Sequence, residues 1–215
     1  LGAVVRRATL EGAPVFEVTK LELEALTQGA VHQGVAMEIA AYDYADALEL
    51  LDRVSATGRK PLFVALDQVT DPHNLGAVLR SAGAFGADGV IIPQRRSADV
   101  NATVWKVSAG AAARVPVAKE TNLVRTLEAF KARGCFVVGL DGNGSVSVDN
   151  LNLADQPLVL VTGAEGKGLS RLVRETCDEI ASINIRAAVE SLNAAVATGI
   201  ALYEVDRVRR TTQGN

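Results

Sequence analysis

PLFVALDQVTDPHNLGAVLR, residues 61–80, contains one complete unit of the pattern that governs most of this chain. An apolar run, PLFVALD (61–67), reads as a strand buried on both faces and ending in an acid. Asp71 followed by Pro72 is a helix start, an N-cap with proline at the first helical position. Beyond it Leu75, Val78, Leu79 and Ala82 recur at helical spacing and predict a buried stripe on a helix near 73–85. The same alternation continues outward. Strands are predicted at GVIIP (89–93), ARVPVA (113–118), CFVVGLD (135–141), PLVLVTG (157–163) and EIASINI (179–185). Helical patterns lie near 98–110, 121–133, 168–175 and 191–209. Strand alternating with helix implies an α/β fold, a mostly parallel sheet with helices on both faces, whose ligands sit beyond the carboxyl ends of the strands.

Working back from residue 61, residues 43–60 read as a helix and a polar linker ending in SATGRK. Residues 1–42 differ in pattern. GAPVFEV (12–18) and GVAMEIAAY (34–42) read as strands flanking a helix at TKLELEALT (19–27), the remnant of a small N-terminal α/β domain. The chain lacks an initiator Met, its one methionine being Met37, which suggests that an upstream portion is missing. The expected organisation is therefore 1–42, 43–60 and a main domain over 61–215.

With 215 residues and 48% hydrophobic composition, the chain can bury a core without disulfide staples. Cys135 and Cys177 form no close pair and there are two histidines, so no metal is expected and reduced thiols in the cytoplasm are the default. No apolar run reaches the roughly 20 residues of a membrane span. The net charge of −3 does not favour a polyanionic partner, but clustering of cations matters more than their sum.

Three segments carry chemistry. On the first helix Arg80 points away from the apolar stripe, with His73, Gly76, Ala77, Gly83 and Ala84 around it. A guanidinium on a face stripped of bulk suits a phosphate or ribose, although such an arginine taken alone reads first as a solvated cation. Asn74 in the first turn offers a donor and an acceptor. The glycine loop GAEGKG (163–168) follows a strand and precedes a helix, so its amides can line a polar ligand. It fits neither the dinucleotide nor the P-loop pattern, and Glu165 would repel phosphates while suiting a cation or a hydroxyl. After the turn RAAVE (186–190), Ser191, Leu192 and Asn193 open the last helix, with Ser191 as a candidate cap and Asn193 able to place its amide in a pocket. That helix is rich in Ala194, Ala195, Ala197, Thr198 and Gly199, which permits close helix packing.

These three segments resemble the three motifs of the SPOUT class of RNA methyltransferases, in its SpoU or TrmH branch, over about residues 61–205. Residues 28–40, QGAVHQGVAMEIA, also resemble the domain junction of the RlmB-type enzymes that modify a guanosine of 23S rRNA. The resemblance implies a C-terminal deep trefoil knot, a homodimer, and 2′-O-ribose methylation of RNA with S-adenosyl-L-methionine. By motif position it implies catalytic or substrate-positioning roles for Asn74, Arg80, Glu165 and Asn193. It implies cofactor contacts for Leu140, Gly142, Thr162, Gly163, Ile183, Ser191 and Leu192. Arg95, Arg96, Lys106 and Arg114 are candidate RNA contacts, each equally readable as surface charge. Within the family the alternatives are a tRNA guanosine, or an rRNA adenosine whose modification confers antibiotic resistance. Outside it stand a nucleotide-dependent oxidoreductase, which would need a glycine fingerprint that TDPHNLG lacks, and a non-enzymatic RNA-binding assembly factor.

Overall fold

The computed structural model describes residues 2–186 and 191–213, in two compact units, Leu1–Ala41 and Tyr42–Asn215. The turn expected at 186–190 lies outside the described residues except for Arg186.

The first unit holds α1 (Gly2–Leu10) and α2 (Lys20–Leu26). Thr19 starts α2 with a capping box: its hydroxyl accepts from the Glu22 amide, and Glu22 accepts in return from the Thr19 amide at 2.7 Å. Neither helix has a buried residue. The strands predicted at 12–18 and 34–42 do not form; the described residues there belong to no strand. Alternating apolar residues become a strand only where a neighbour supplies a ladder, and none of the described residues of this unit does so.

The second unit is built on β1 (Leu62–Asp67), β2 (Gly89–Pro93), β3 (Val117–Glu120), β4 (Phe136–Leu140), β5 (Val146–Ser147), β6 (Leu158–Gly163) and β7 (Glu179–Ser182). They form one parallel sheet in the order β3-β2-β1-β6-β4-β7-β5. Its helices are α3 (Ala47–Ser55), α4 (Pro72–Ala84), α5 (Ala102–Val107), α6 (Leu123–Ala132), α7 (Arg171–Thr176) and α8 (Ala194–Gln213). Alternate residues of β1 feed two cores. Leu62, Val64 and Leu66 pack with Leu75, Val78 and Leu79 of α4 and with Leu202 and Val205 of α8. Phe63 and Ala65 pack with Leu50 and Leu51 of α3 and with Leu127 and Phe130 of α6. Every residue of β1 and β6 is consequently buried, as both-face coverage requires.

β3 begins four residues later than predicted, because Pro116 has no N–H to donate to a ladder and residues 111–113 form a 3-10 turn instead. β5, with two residues, is too short to leave an apolar run.

The strand order positions the site. β1, β6, β4 and β7 are neighbours, and registers Asp67↔Gly163, Leu140↔Thr162 and Leu140↔Ala181 align their carboxyl ends in one row. β7 lies between β4 and β5, both of which precede it in the chain, so the β4–β5 connection strides across it. A Cβ on Gly144 in that connection would lie 2.6 Å from the Ala181 carbonyl carbon, so only glycine fits there. Among the described residues no helix is long and apolar enough to cross a membrane.

Candidate active site

Asp67, 4% exposed at the end of β1, accepts the Ser170 amide at 2.6 Å and so ties β1 to the start of α7. Asp71 caps α4, its Oδ1 accepting the His73 amide at 2.8 Å. That amide, foremost, holds the Asp71 carboxyl below the usual range. One turn in, Asn74 is 6% exposed and faces the carboxyl edge of the sheet.

The glycine loop is shaped by its own backbone. The Gly168 amide donates to the Ala164 carbonyl at 2.8 Å, and a Cβ on Gly163 would lie 2.2 Å from the Gly168 carbonyl carbon. Gly166 and Gly168 have φ of +72° and +65°, a region that favours glycine. The fold-back carries Glu165 to Asn74, which donates to Glu165 Oε1 at 3.1 Å.

Asn193, not Ser191, caps α8. Its Oδ1 accepts the amides of Ala195 at 3.0 Å and Val196 at 3.1 Å, so the helix begins at Ala194. With the oxygen committed to the helix, the Asn193 Nδ2 turns outward, donating to Asn74 Oδ1 at 2.9 Å and to Glu165 Oε1 at 2.5 Å. This orientation in turn fixes the Asn74 amide, whose nitrogen is left to face Glu165. The Ala194 amide adds a longer contact to the same carboxylate oxygen at 3.4 Å, placing Glu165 at the positive end of α8. Three segments, separated by up to 119 residues, thus close a triangle of side chains.

Beside the triangle lies a cavity of about 680 Å³. Leu140, Gly142, Thr162, Gly163, Ile183, Ser191 and Leu192 all line it, together with Glu165. Further lining comes from Asp141, Lys167 and Ile185, which the sequence reading did not single out. Asp141 braces the β4–β5 connection: it takes the Arg174 guanidinium at 2.6 Å and the Asn143 amide at 2.8 Å. An acid three residues after an apolar strand core was a visible signal, but its partner 33 residues away was not.

Arg80 is not brought to the triangle. Six residues after Asn74 it is about 9 Å further along the helix and about 120° round it. It is exposed and has no hydrogen bond or ion pair among the described residues. Its surroundings also differ from the open face predicted. A Cβ on Gly76 would press on Val107 of α5 at 2.7 Å, and one on Gly83 would meet Val115 at 3.3 Å. These glycines admit neighbouring segments, not a ligand. Arg95, Arg96, Lys106 and Arg114 are all exposed and none lines the cavity. The thiols of Cys135 and Cys177 are pushed up to about 11 by burial, which disfavours the thiolate, and neither lines the cavity. Among the described residues no group of three or more His, Cys, Asp and Glu is arranged to hold a metal.

Residues 61–203 match the SpoU rRNA Methylase family. The chain belongs to that family. Residues 1–45 match the RNA 2′-O ribose methyltransferase substrate-binding family. An uncharacterized tRNA/rRNA methyltransferase of Mycobacterium ulcerans is 51% identical over 208 residues, which cover 96% of this chain and 66% of that protein. Its counterpart in Mycobacterium avium is 52% identical over 207 residues, with the same coverage. The chain thus spans just under two thirds of these relatives. Among solved SpoU-type structures, AviRb from Streptomyces viridochromogenes in complex with AdoMet superposes with a TM-score of 0.70 at 29% identity, covering 96% of this chain and 88% of that one. An AdoMet-bound rRNA methyltransferase from Sinorhizobium meliloti gives 0.75 at 26% identity, covering 96% and 77%. The parallel sheet described above is the sheet of a SpoU methylase.

Proposed function

We propose that this chain is the catalytic part, residues 61–215, of an S-adenosyl-L-methionine-dependent RNA 2′-O-ribose methyltransferase, with residues 1–42 the tail of an N-terminal substrate-binding domain joined by 43–60. The observation that carries this reading is the Asn74–Glu165–Asn193 triangle, drawn from three chain segments, beside a cavity that Glu165 lines. The family match supports it, as do the AdoMet-bound relatives.

The cavity suits the cofactor. Its volume lies within the roughly 300–1,000 Å³ of small-molecule sites. Leu140, Ile183 and Leu192 offer apolar surface for a purine, and Glu165 offers a carboxylate for a cationic ligand. When bound, the cofactor supplies a methyl group on a sulfonium. The protein's part is alignment: Asn74 and Asn193 hold Glu165, and Glu165 orients the groups at the cavity mouth. Closure of the β4–β5 connection over β7 is the place where the knot would form the pocket wall.

Arg80 serves as a clamp on the phosphate next to the reacting ribose and polarises the hydroxyl; a guanidinium resists acting as a base. Its exposure fits a role at an assembly surface. Val196, Ile200 and Tyr203 of α8 are 50%, 37% and 46% exposed on one helical face, and Tyr203 meets Phe85 at the end of α4 edge-on at 5.8 Å. A homodimer through this face would bury the apolar stripe and set Arg80 at its border. Arg95, Arg96, Lys106 and Arg114 are the proposed RNA contacts, in a cytoplasmic protein.

The substrate we favour is a guanosine of 23S rRNA, on the junction resemblance at 28–40; a tRNA guanosine is the alternative. Transfer of a tritiated methyl group to 23S rRNA or tRNA transcripts, followed by mapping of 2′-O-methyl positions, tests this. Cofactor binding without transfer to either RNA would reject the substrate; no cofactor binding at all would reject the enzyme.

A further inference from the structure

In the cavity wall Thr162 of β6, and behind it Thr198 of α8, place their hydroxyl oxygens 2.7 Å apart, at 4% and 0% exposure. The geometry of that pair alone does not say which one donates. A third contact decides it. Thr198 Oγ1 also lies 2.7 Å from the Ala194 carbonyl oxygen, which can only accept. A hydroxyl has one hydrogen, and Thr198 has given its own to Ala194. The hydrogen between the two threonines therefore comes from Thr162. The chain runs one way, Thr162 to Thr198 to the Ala194 carbonyl in the first turn of α8.

Thr162 lines the cavity. With its hydrogen committed, its oxygen can offer a ligand lone pairs and nothing else. An ordinary threonine hydroxyl rotates to suit either a donor or an acceptor, but this one is held, because turning away would break a hydrogen bond between two buried hydroxyls. We propose that Thr162 is a specificity residue that accepts a hydrogen bond from the exocyclic amine of a purine, and that Thr198 is the positioning residue that makes it an acceptor. The purine is favoured over the other hydrogen donors of such a ligand because Thr162 is in register with Leu140, which with Ile183 and Leu192 gives the cavity its apolar lining. A flat ring belongs on such a surface, whereas an ammonium there would be stripped of water. The inference rests on the cofactor reading above and goes further, to the atom that discriminates adenine from a base carrying an oxygen in place of the amine.

The test is calorimetric titration of the intact chain with S-adenosylhomocysteine and S-inosylhomocysteine, which differ in that amine. Wild-type protein should prefer the adenosyl ligand. Thr162→Val should shrink the preference about fivefold to tenfold, and Thr162→Ser should restore it. Thr198→Val frees the Thr162 hydrogen to swing toward the ligand, so the inosyl ligand should bind this variant better than it binds wild type. Because both ligands are measured on each variant, a partly unfolded preparation cancels in the ratio. A ratio unchanged in both valine variants overturns the proposal. If instead only a desamino analogue lacking the methionine ammonium responds to Thr162→Val, the acceptor serves the ammonium and the purine assignment is overturned. Wild-type protein that binds no adenosyl ligand would sink the cofactor reading itself, a separate outcome.

Discussion

At the inner end of α4, Asn74 is 6% exposed, gives its nitrogen to Glu165 and takes the Asn193 amide on its oxygen. Six residues on, Arg80 stands exposed with no partner among the described residues. One helix therefore presents a polar cluster completed within the chain and a cation that no described residue completes. The difference separates two kinds of readiness. The triangle is preorganised by folding, since helix capping and loop closure set its geometry before any ligand arrives. On the proposed reading, the guanidinium would acquire its geometry when RNA, or a second copy with RNA, supplies the other half.

The strongest way to break this contrast is Arg80→Ala. Methyl transfer should fall by about a hundredfold or more, with cofactor affinity unchanged by calorimetry. Arg80→Lys should retain measurable activity, since a point cation still attracts phosphate while losing the planar fork. Mixing Arg80→Ala with Glu165→Ala asks whose site the arginine serves. If it acts across a symmetric dimer, the mixture should regain about a quarter of wild-type activity through heterodimers with one intact site. Equal rates for the alanine and lysine variants would remove the clamp from the mechanism.

A smaller loss is expected on the preorganised side. Asn193→Asp keeps an oxygen to cap α8 but removes the amide hydrogens and sets a second carboxylate beside Glu165. Turnover should drop about tenfold to a hundredfold, while thermal stability falls by less than in Asn193→Ala, which loses the cap as well. If Asn193→Asp retained full turnover, the triangle would be a capping device and nothing more.

How much of this could be read from residues alone divides along the same line. The buried stripe Leu75, Val78, Leu79 and Ala82 is fully buried, because helical periodicity is a local property that burial merely confirms. In the second unit the strand cores also appear where apolar runs place them, except where Pro116 denies β3 its ladder, whereas the strands expected at 12–18 and 34–42 do not form. The strand order could not be read, since placing β6 between β1 and β4 and slotting β7 inside β5 are long-range choices without a local signature. Asn74, Glu165 and Asn193 were singled out as residue types in suggestive turns, but their hydrogen-bond geometry spans 91 and 119 residues. Gly76 and Gly83 were misassigned for a related reason: sequence shows that a face lacks bulk, and the structure shows that a neighbouring segment occupies the space.

The outer face offers the next test. Ile200→Glu puts a charge into the exposed stripe of α8 without touching the triangle. If this face carries the proposed homodimer, the monomer–dimer dissociation constant, measured by sedimentation, should rise about tenfold or more. Cofactor affinity should stay within a factor of two if the pocket is complete in one chain. A protein that sediments as a dimer regardless would place the subunit contact elsewhere and remove Arg80 from its border.

The smallest effect should come from the cap both regions share. Asp71→Ala removes the acceptor for the His73 amide at the start of α4, the helix that carries Asn74 and Arg80 together. The expected cost is about 1 kcal/mol in urea melts near neutral pH. Its pH dependence follows from the lowered carboxyl pKa, whose first cause is that same amide. The unfolded chain binds a proton here more readily than the folded one, so the cap's full contribution is present above the unfolded value of 3.8 and is lost as pH falls through the lower folded value. Wild type and Asp71→Ala should therefore converge in stability as the solution is made more acidic. A gap that persists unchanged down to pH values well below 3.8 would mean that the aspartate stabilises α4 through something other than its charge.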